Sequence, residues 1–124
     1  MLKLTGSVLA AGLTLAAPVF AADAPAEIKI GTLYASSGRY ASISMPVFSA
    51  LKLWSEQKNA DGGVYVKAFD KKIPVRLVAY DDQSNTATAS TLYNQLVTQD
   101  KVDLLVADSG SVLTAPAVAI ARVR

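Results

Sequence analysis

The stretch VDLLVADSGSVLTAPAV, residues 102–118, decides the fold. Its first six residues, 102–107, are too apolar to offer a face to water, the mark of a strand buried in a parallel sheet. Directly after Ser109-Gly110-Ser111 the apolar residues resume helical spacing. A helix is therefore expected from near Ser111 or Thr114, with Pro116 tolerated in its first turn. A buried strand running through small hydroxyl residues into a fresh helix is half of a repeating strand–helix unit.

Upstream, the same unit recurs. Residues 85–100 place Ala89, Leu92, Tyr93 and Leu96 on one side of a helix that Ser84 or Asn85 is suited to cap. Before it, VYVKAFDKKIPVRLVAYDD reads as two extended pieces around a turn at Asp70-Lys71-Lys72; the first is a ribbon and the second, residues 73–80, a core strand. Further back, a strand starts at Ile28, SSGRY (residues 36–40) forms a loop, and a helix runs from about Ser44. Val47, Ala50, Leu51 and Trp54 mark the core face of that helix, Pro46 falls in its first turn, and NADGG at residues 59–63 stops it. The sequence holds no internal repeat. The order strand, helix, strand, helix, strand, helix predicts an α/β, doubly wound parallel sheet, in which right-handed crossovers favour the order 2-1-3 with the first strand central.

Composition narrows the chemistry. The 124 residues include no Cys and no His, so Ser/His and Cys/His nucleophile pairs and Cys/His zinc sites are excluded within this sequence. The formal charge of +2 is scattered, with no basic run to follow a phosphate backbone, and no nucleic-acid partner is expected. At the N-terminus, Lys3, an apolar run from Leu4 to Leu15, Pro18 and then small residues have the organisation of a secretory signal peptide. Cleavage is expected after Ala21, because Val19 and Ala21 put small residues at the two positions that matter. The run is too short for a membrane span. Residues 1–21 are read as the signal peptide, 22–27 as a linker and 28–124 as the folded unit. With no Cys in the sequence, no lipid anchor on a Cys is expected.

In a 2-1-3 sheet the loops after the first and third strands meet at the switch point, where such sheets bind ligands. Those loops are Ser36-Ser37-Gly38 and Ser109-Gly110-Ser111. Amides of a helix's first turn, the helix dipole and serine hydroxyls together suit a small carboxylate. On the residues alone Ser111 is equally well explained as a plain helix cap. No phosphate-loop pattern is present. Asp81, Asp82 and Asp108 end two strands and raise the possibility of Mg²⁺-dependent phosphoryl chemistry. Turn and cap roles for residues 82–85 explain them better, since the strand they end lies across the first strand from Asp108. No metal and no cofactor are expected.

The succession IKIGTLYASSGRYA, NADGGV, KKIPVRLVAYDDQSN and LVTQDKVDLLVADSGSVLTAPA, over residues 28 to 121, resembles the leucine/isoleucine/valine-binding proteins, the periplasmic solute-binding components of branched-chain amino-acid ABC transporters. The resemblance implies a type I periplasmic-binding-protein-like fold, a periplasmic location and no enzymatic activity. It implies a two-lobed protein that holds an amino acid or related small carboxylate between its lobes and passes it to an ABC permease. Family chains are several times longer, so this sequence is expected to be a partial N-terminal lobe. The family's first-lobe binding positions carry over onto Tyr40 and Ser111, with Gly110 or Ser109 offering backbone groups beside Ser111; Ser37, in the first switch-point loop, is the further candidate that the sheet order itself suggests. Val112 and Leu113 stand where relatives often have small polar residues, and Asp108 precedes the serines; these departures leave aromatic and other organic acids open as guests. The alternatives to the transporter reading are an exported ligand-sensing domain of the same fold and the Mg²⁺ phosphoryl-transfer domain.

Overall fold

The computed structural model describes residues 23–122, so the signal-peptide reading of residues 1–21 lies outside the described residues. The elements, in order, are β1 (Ile28–Tyr34), α1 (Ala41–Ala60), β2 (Val64–Val66), a 3₁₀ turn (Lys67–Phe69), β3 (Lys71–Ile73), β4 (Val75–Asp81), α2 (Thr86–Thr98), β5 (Leu104–Val106) and α3 (Ser111–Ala121). Three strands form the main sheet in the order β4-β1-β5, which is the 2-1-3 arrangement expected, and both pairings are parallel. β1 runs in register with β4 along its whole length, from Ile28 beside Val75 to Tyr34 beside Asp81.

The ribbon forms, but its turn lies elsewhere. Lys71 and Lys72 belong to β3, which pairs antiparallel with β2, and the chain reverses through the 3₁₀ turn and Asp70, a left-handed residue with φ 49°. The predicted strand over residues 73–80 is split at Pro74, which has no N–H to donate to a ladder; its carbonyl instead accepts from the Ile28 N–H at 2.8 Å. Asn59, in the last turn of α1, clamps the start of β4 with two hydrogen bonds, Nδ2 to the Val75 carbonyl at 2.7 Å and the Val75 N–H to Oδ1 at 2.8 Å. Gly63 lets the helix exit cross the ribbon, since a Cβ there would sit 2.3 Å from the Ile73 carbonyl group.

The core lies on the α2/α3 face of the sheet, where Leu33, Ala89, Tyr93, Leu96, Leu113 and Ala117 are buried together. The α2 reading holds: Ala89, Tyr93 and Leu96 face inward and the Asn85 side chain caps the helix by accepting the Thr88 N–H at 3.0 Å. The α1 reading needs correction. The helix starts at Ala41, so Pro46 falls in its second turn, and the buried face carries Ser44 and Ser55. Phe48 joins that face and stacks on Tyr34 with ring centroids 4.4 Å apart. Val47 is 50% exposed and Trp54 36%, and of the stripe expected to form the core face only Leu51 is half-buried. Ser44, Phe48 and Ser55 occupy the inward side of α1, and the bulky stripe lies off it.

Two further expectations are revised. β5 is shorter than residues 102–107 and is an edge strand among the described residues, with Leu104 56% exposed. α3 begins at Ser111, so Pro116 is its sixth residue and not part of the first turn.

These burial differences predict opposite outcomes for two large apolar residues. Leu96→Ala, which empties a fully buried position, lowers unfolding stability by about 3 kcal/mol. Trp54→Ala costs no more than about 1 kcal/mol. Urea denaturation of both variants measures the difference, and equal losses would contradict the packing described for α1.

Candidate functional site

The C-terminal ends of β1, β4 and β5 converge on one edge of the sheet, and the loops leaving them are bound to each other. Ser84, after β4, ties two loops together: its hydroxyl donates to the Ser37 carbonyl at 2.7 Å and accepts the Tyr40 N–H at 3.1 Å. Gly38, at φ 81°, is required there, because a Cβ would meet the Ser84 side chain at 2.8 Å. Ser37 is thus held by its backbone. Its neighbour Ser36 binds Asp81, whose carboxylate accepts both the Ser36 hydroxyl and the Ser36 N–H, the latter at 3.1 Å. Partial burial pushes the Asp81 carboxyl up, but these bonds and one from the Gln83 N–H outweigh it and hold the group below the usual carboxylate range.

Tyr40 reaches across to the other loop. A Cβ on Gly110 would lie 3.6 Å from the Tyr40 ring, so the two are neighbours, and the Arg39 guanidinium sits 5.3 Å from the ring centroid. Gly110 caps α3 at φ 99°, a conformation that L side chains rarely adopt. Its carbonyl accepts the N–H groups of Leu113 and Thr114, at 3.2 and 3.0 Å. The described residues supply no acceptor for the N–H groups of Ser111 and Val112. They are free donors at the positive end of the helix. Gly110 and Ser111 stand at one end of an open face of α3 that continues past Thr114 and Val118 to Arg122.

Of the five residues singled out in the sequence, the structure therefore brings Tyr40, Gly110 and Ser111 to one edge. Ser37 lies in the adjoining loop. Ser109 stands in the right loop, but its N–H is already committed to Asp108 Oδ1 at 2.6 Å.

Beneath the loops lies a polar layer that the sequence reading missed. Ser44 is fully buried and bridges two elements, accepting the Ala35 N–H at 2.8 Å and donating to Asp108 Oδ1 at 2.6 Å. The Asp108 N–H donates to the Tyr93 hydroxyl at 2.8 Å, and burial pushes that phenol up to about 12. Asp82, fully buried, comes within side-chain hydrogen-bonding reach of Asp108. β4 and β5 do lie on opposite sides of β1, as expected, and the two acids approach each other past the ends of the strands, beyond Tyr34. Asp81 turns instead to Ser36. Among the described residues no group of three or more acidic, His or Cys side chains is placed to hold a metal ion. The sequence signal for Ser44 was its place one turn before Phe48 and eleven residues before Ser55, a stripe that an apolar count passes over.

The doubly wound sheet brings loops with free amides and hydroxyls to its switch point, the edge at which sheets of this kind bind ligands. The chain belongs to the periplasmic binding protein family, whose model matches residues 27–124. No protein in the curated set matches the chain. Among solved structures it is similar to the branched-chain amino acid transporter substrate-binding protein LivJ of Streptococcus pneumoniae, in complex with isoleucine, at 35% identity and a TM-score of 0.68. That match covers 77% of this chain and 26% of the other. It is also similar to an ABC transporter solute-binding protein of R. palustris in complex with benzoate, at 27% identity and a TM-score of 0.62, covering 77% of this chain and 24% of that one. A leucine-binding protein LivK from Thermotoga maritima, at 18% identity and a TM-score of 0.63, shares the fold over 76% of this chain and 24% of its own. The chain thus spans about a quarter of the length of the structures it matches. The parallel sheet with flanking helices is that of a type I periplasmic binding protein.

The bridging role of Ser44 carries its own prediction. Ser44→Ala leaves the buried Ala35 N–H and one contact of Asp108 Oδ1 unsatisfied and lowers stability by about 1–3 kcal/mol. Chemical denaturation checks the value, and a loss below about 0.5 kcal/mol would show that neither partner depends on the hydroxyl.

Proposed function

We propose that this chain is part of the first lobe of an extracytoplasmic solute-binding component of an ABC importer, and that the edge formed by Tyr40, Gly110 and Ser111 holds the carboxylate of an amino acid or related organic acid. The observation that carries the reading is the pair of unpartnered N–H groups at Ser111 and Val112, at the start of an eleven-residue helix and beside an aromatic ring. Two aligned amides and a helix dipole suit one carboxylate, and Tyr40 offers a flat apolar wall to whatever is attached to it. The relatives agree in chemistry, since isoleucine and benzoate share a carboxylate and differ in the apolar part. An ammonium partner belongs to a facing lobe, as does delivery to a permease. The signal-peptide pattern of residues 1–21 supports a periplasmic location.

A single lobe presents half a cleft, so the 124-residue chain binds either acid weakly. The longest open reading frame containing it should bind one of them at micromolar concentration or better. Isothermal titration of both proteins with L-isoleucine and benzoate tests this. In the longer protein Ser111→Ala removes the hydroxyl alone, whereas Ser111→Pro removes the amide N–H as well, because proline suits the first helical position yet has no N–H. The affinity of the proline variant should fall at least about tenfold, as loss of a charge-assisted hydrogen bond requires. Unchanged affinity for that variant would remove the carboxylate from this helix start.

A further inference from the structure

The strongest unexplained feature of the molecule is a pair of buried acids with one oxygen each left over. Asp82 and Asp108 are 0% and 5% exposed, and their Oδ2 atoms have no partner. The other oxygens are fully engaged. Asp82 Oδ1 accepts the Ser84 N–H at 2.9 Å, and Asp108 Oδ1 accepts the Ser44 hydroxyl and the Ser109 N–H. Two ionised carboxylates within hydrogen-bonding reach of each other, each with a bare buried oxygen, would be costly twice, through repulsion and through desolvation. One proton between the two Oδ2 atoms removes both costs.

We propose that Asp82 and Asp108 share a single proton, and that this bridge is the positioning element that ties the ends of β4 and β5 together beneath the Ser109-Gly110-Ser111 loop. Through Oδ1 the same Asp108 carboxylate fixes the Ser109 amide, and its backbone carbonyl accepts the Thr114 hydroxyl at 3.0 Å, so the start of α3 is anchored to the pair at two points. The groups that face the bridge are Asp81 on β4, Tyr93 on α2 and the Ser44 hydroxyl on α1, and none of them supplies a positive charge. No Lys or Arg among the described residues pairs with either acid. Burial, and after it the negative neighbours Asp108 and Asp81, push the Asp82 carboxyl up to about 6, despite the opposing bond from the Ser84 N–H. The folded chain therefore keeps a proton that the unfolded chain gives up near pH 4. Raising the pH from about 4 to about 6 favours unfolding, and above that range the effect is flat. Only the consequence for ligand capture rests on the proposed function; the bridge itself is a property of the fold and is read without ligand.

Carbon-13 NMR of the aspartate carboxyls in the full chain tests it directly. One carboxyl should titrate with a midpoint near pH 6, and the Ser109 amide shift should move with the same midpoint. Asp82→Asn keeps a donor toward Asp108 and carries no titrating proton, so it should abolish that midpoint. It should also flatten the wild-type fall in Tm between pH 4.5 and pH 7, a difference on the order of 10 °C. Asp82→Ala, which lacks the donor, should not rescue stability at either pH. If every aspartate titrates below pH 5, there is no shared proton; if a carboxyl titrates near 6 while the Ser109 amide stays still, the bridge does not position the loop. Either result overturns the proposal, and neither bears on whether Ser111 meets a carboxylate.

Discussion

Everything in this chain is organised by β1, which is hydrogen-bonded on both edges by parallel strands. β4 runs along it from Ile28 to Tyr34, and β5 pairs with its middle from Ile30 to Thr32. The second pairing is initiated outside the strand by Asp103, which accepts the Lys29 N–H on its carboxylate at 2.8 Å and returns its own N–H to the Lys29 carbonyl at 2.9 Å. With β1 central and all strands parallel, the crossovers must send α1 to one face and α2 to the other. The three strand ends then point the same way, and every loop that could carry function is delivered to one edge.

The two faces of the sheet are built by different means. On the α2/α3 side a conventional apolar core forms around Leu33, Tyr93, Leu96 and Leu113. On the α1 side the helix lies against the sheet through serines, the stacked Phe48 and Tyr34, and the Asn59 clamp. Hydrogen bonds act there together with the Tyr34–Phe48 stack in setting the position of α1. That division explains why the catch points of the site, Ser44 and Tyr40, both lie in or at the start of α1.

The topology was legible because strand–helix alternation and right-handed crossover leave few arrangements for three strands. Loop placement followed, and with it Tyr40, Gly110 and Ser111. What the sequence did not disclose depended on neighbours far along the chain. A stripe such as Val47, Ala50, Leu51 and Trp54 says that a helix has an apolar side, but not which side meets this sheet; buried Ser44 and Ser55 are invisible to an apolar count. Likewise the meeting of Asp82 with Asp108 takes place past the end of β1, a boundary that hydropathy does not encode. The prolines were misplaced for a simpler reason: both helices begin earlier than Pro46 and Pro116 alone suggest.

β5 has further meaning for how the chain behaves in concentrated solution. Leu104 and Val106 alternate onto the face that α1 shares, at 56% and 36% exposure, and the outer backbone edge of the strand is unpaired among the described residues. An uncovered edge with apolar side chains is a template for another strand, whatever its origin. Lys101 and Asp103 bring charge near its start, yet nothing charged interrupts residues 104–107. Among the described residues this rim is therefore a site for strand addition, and Leu104→Lys would act there as a gatekeeper without touching the buried core.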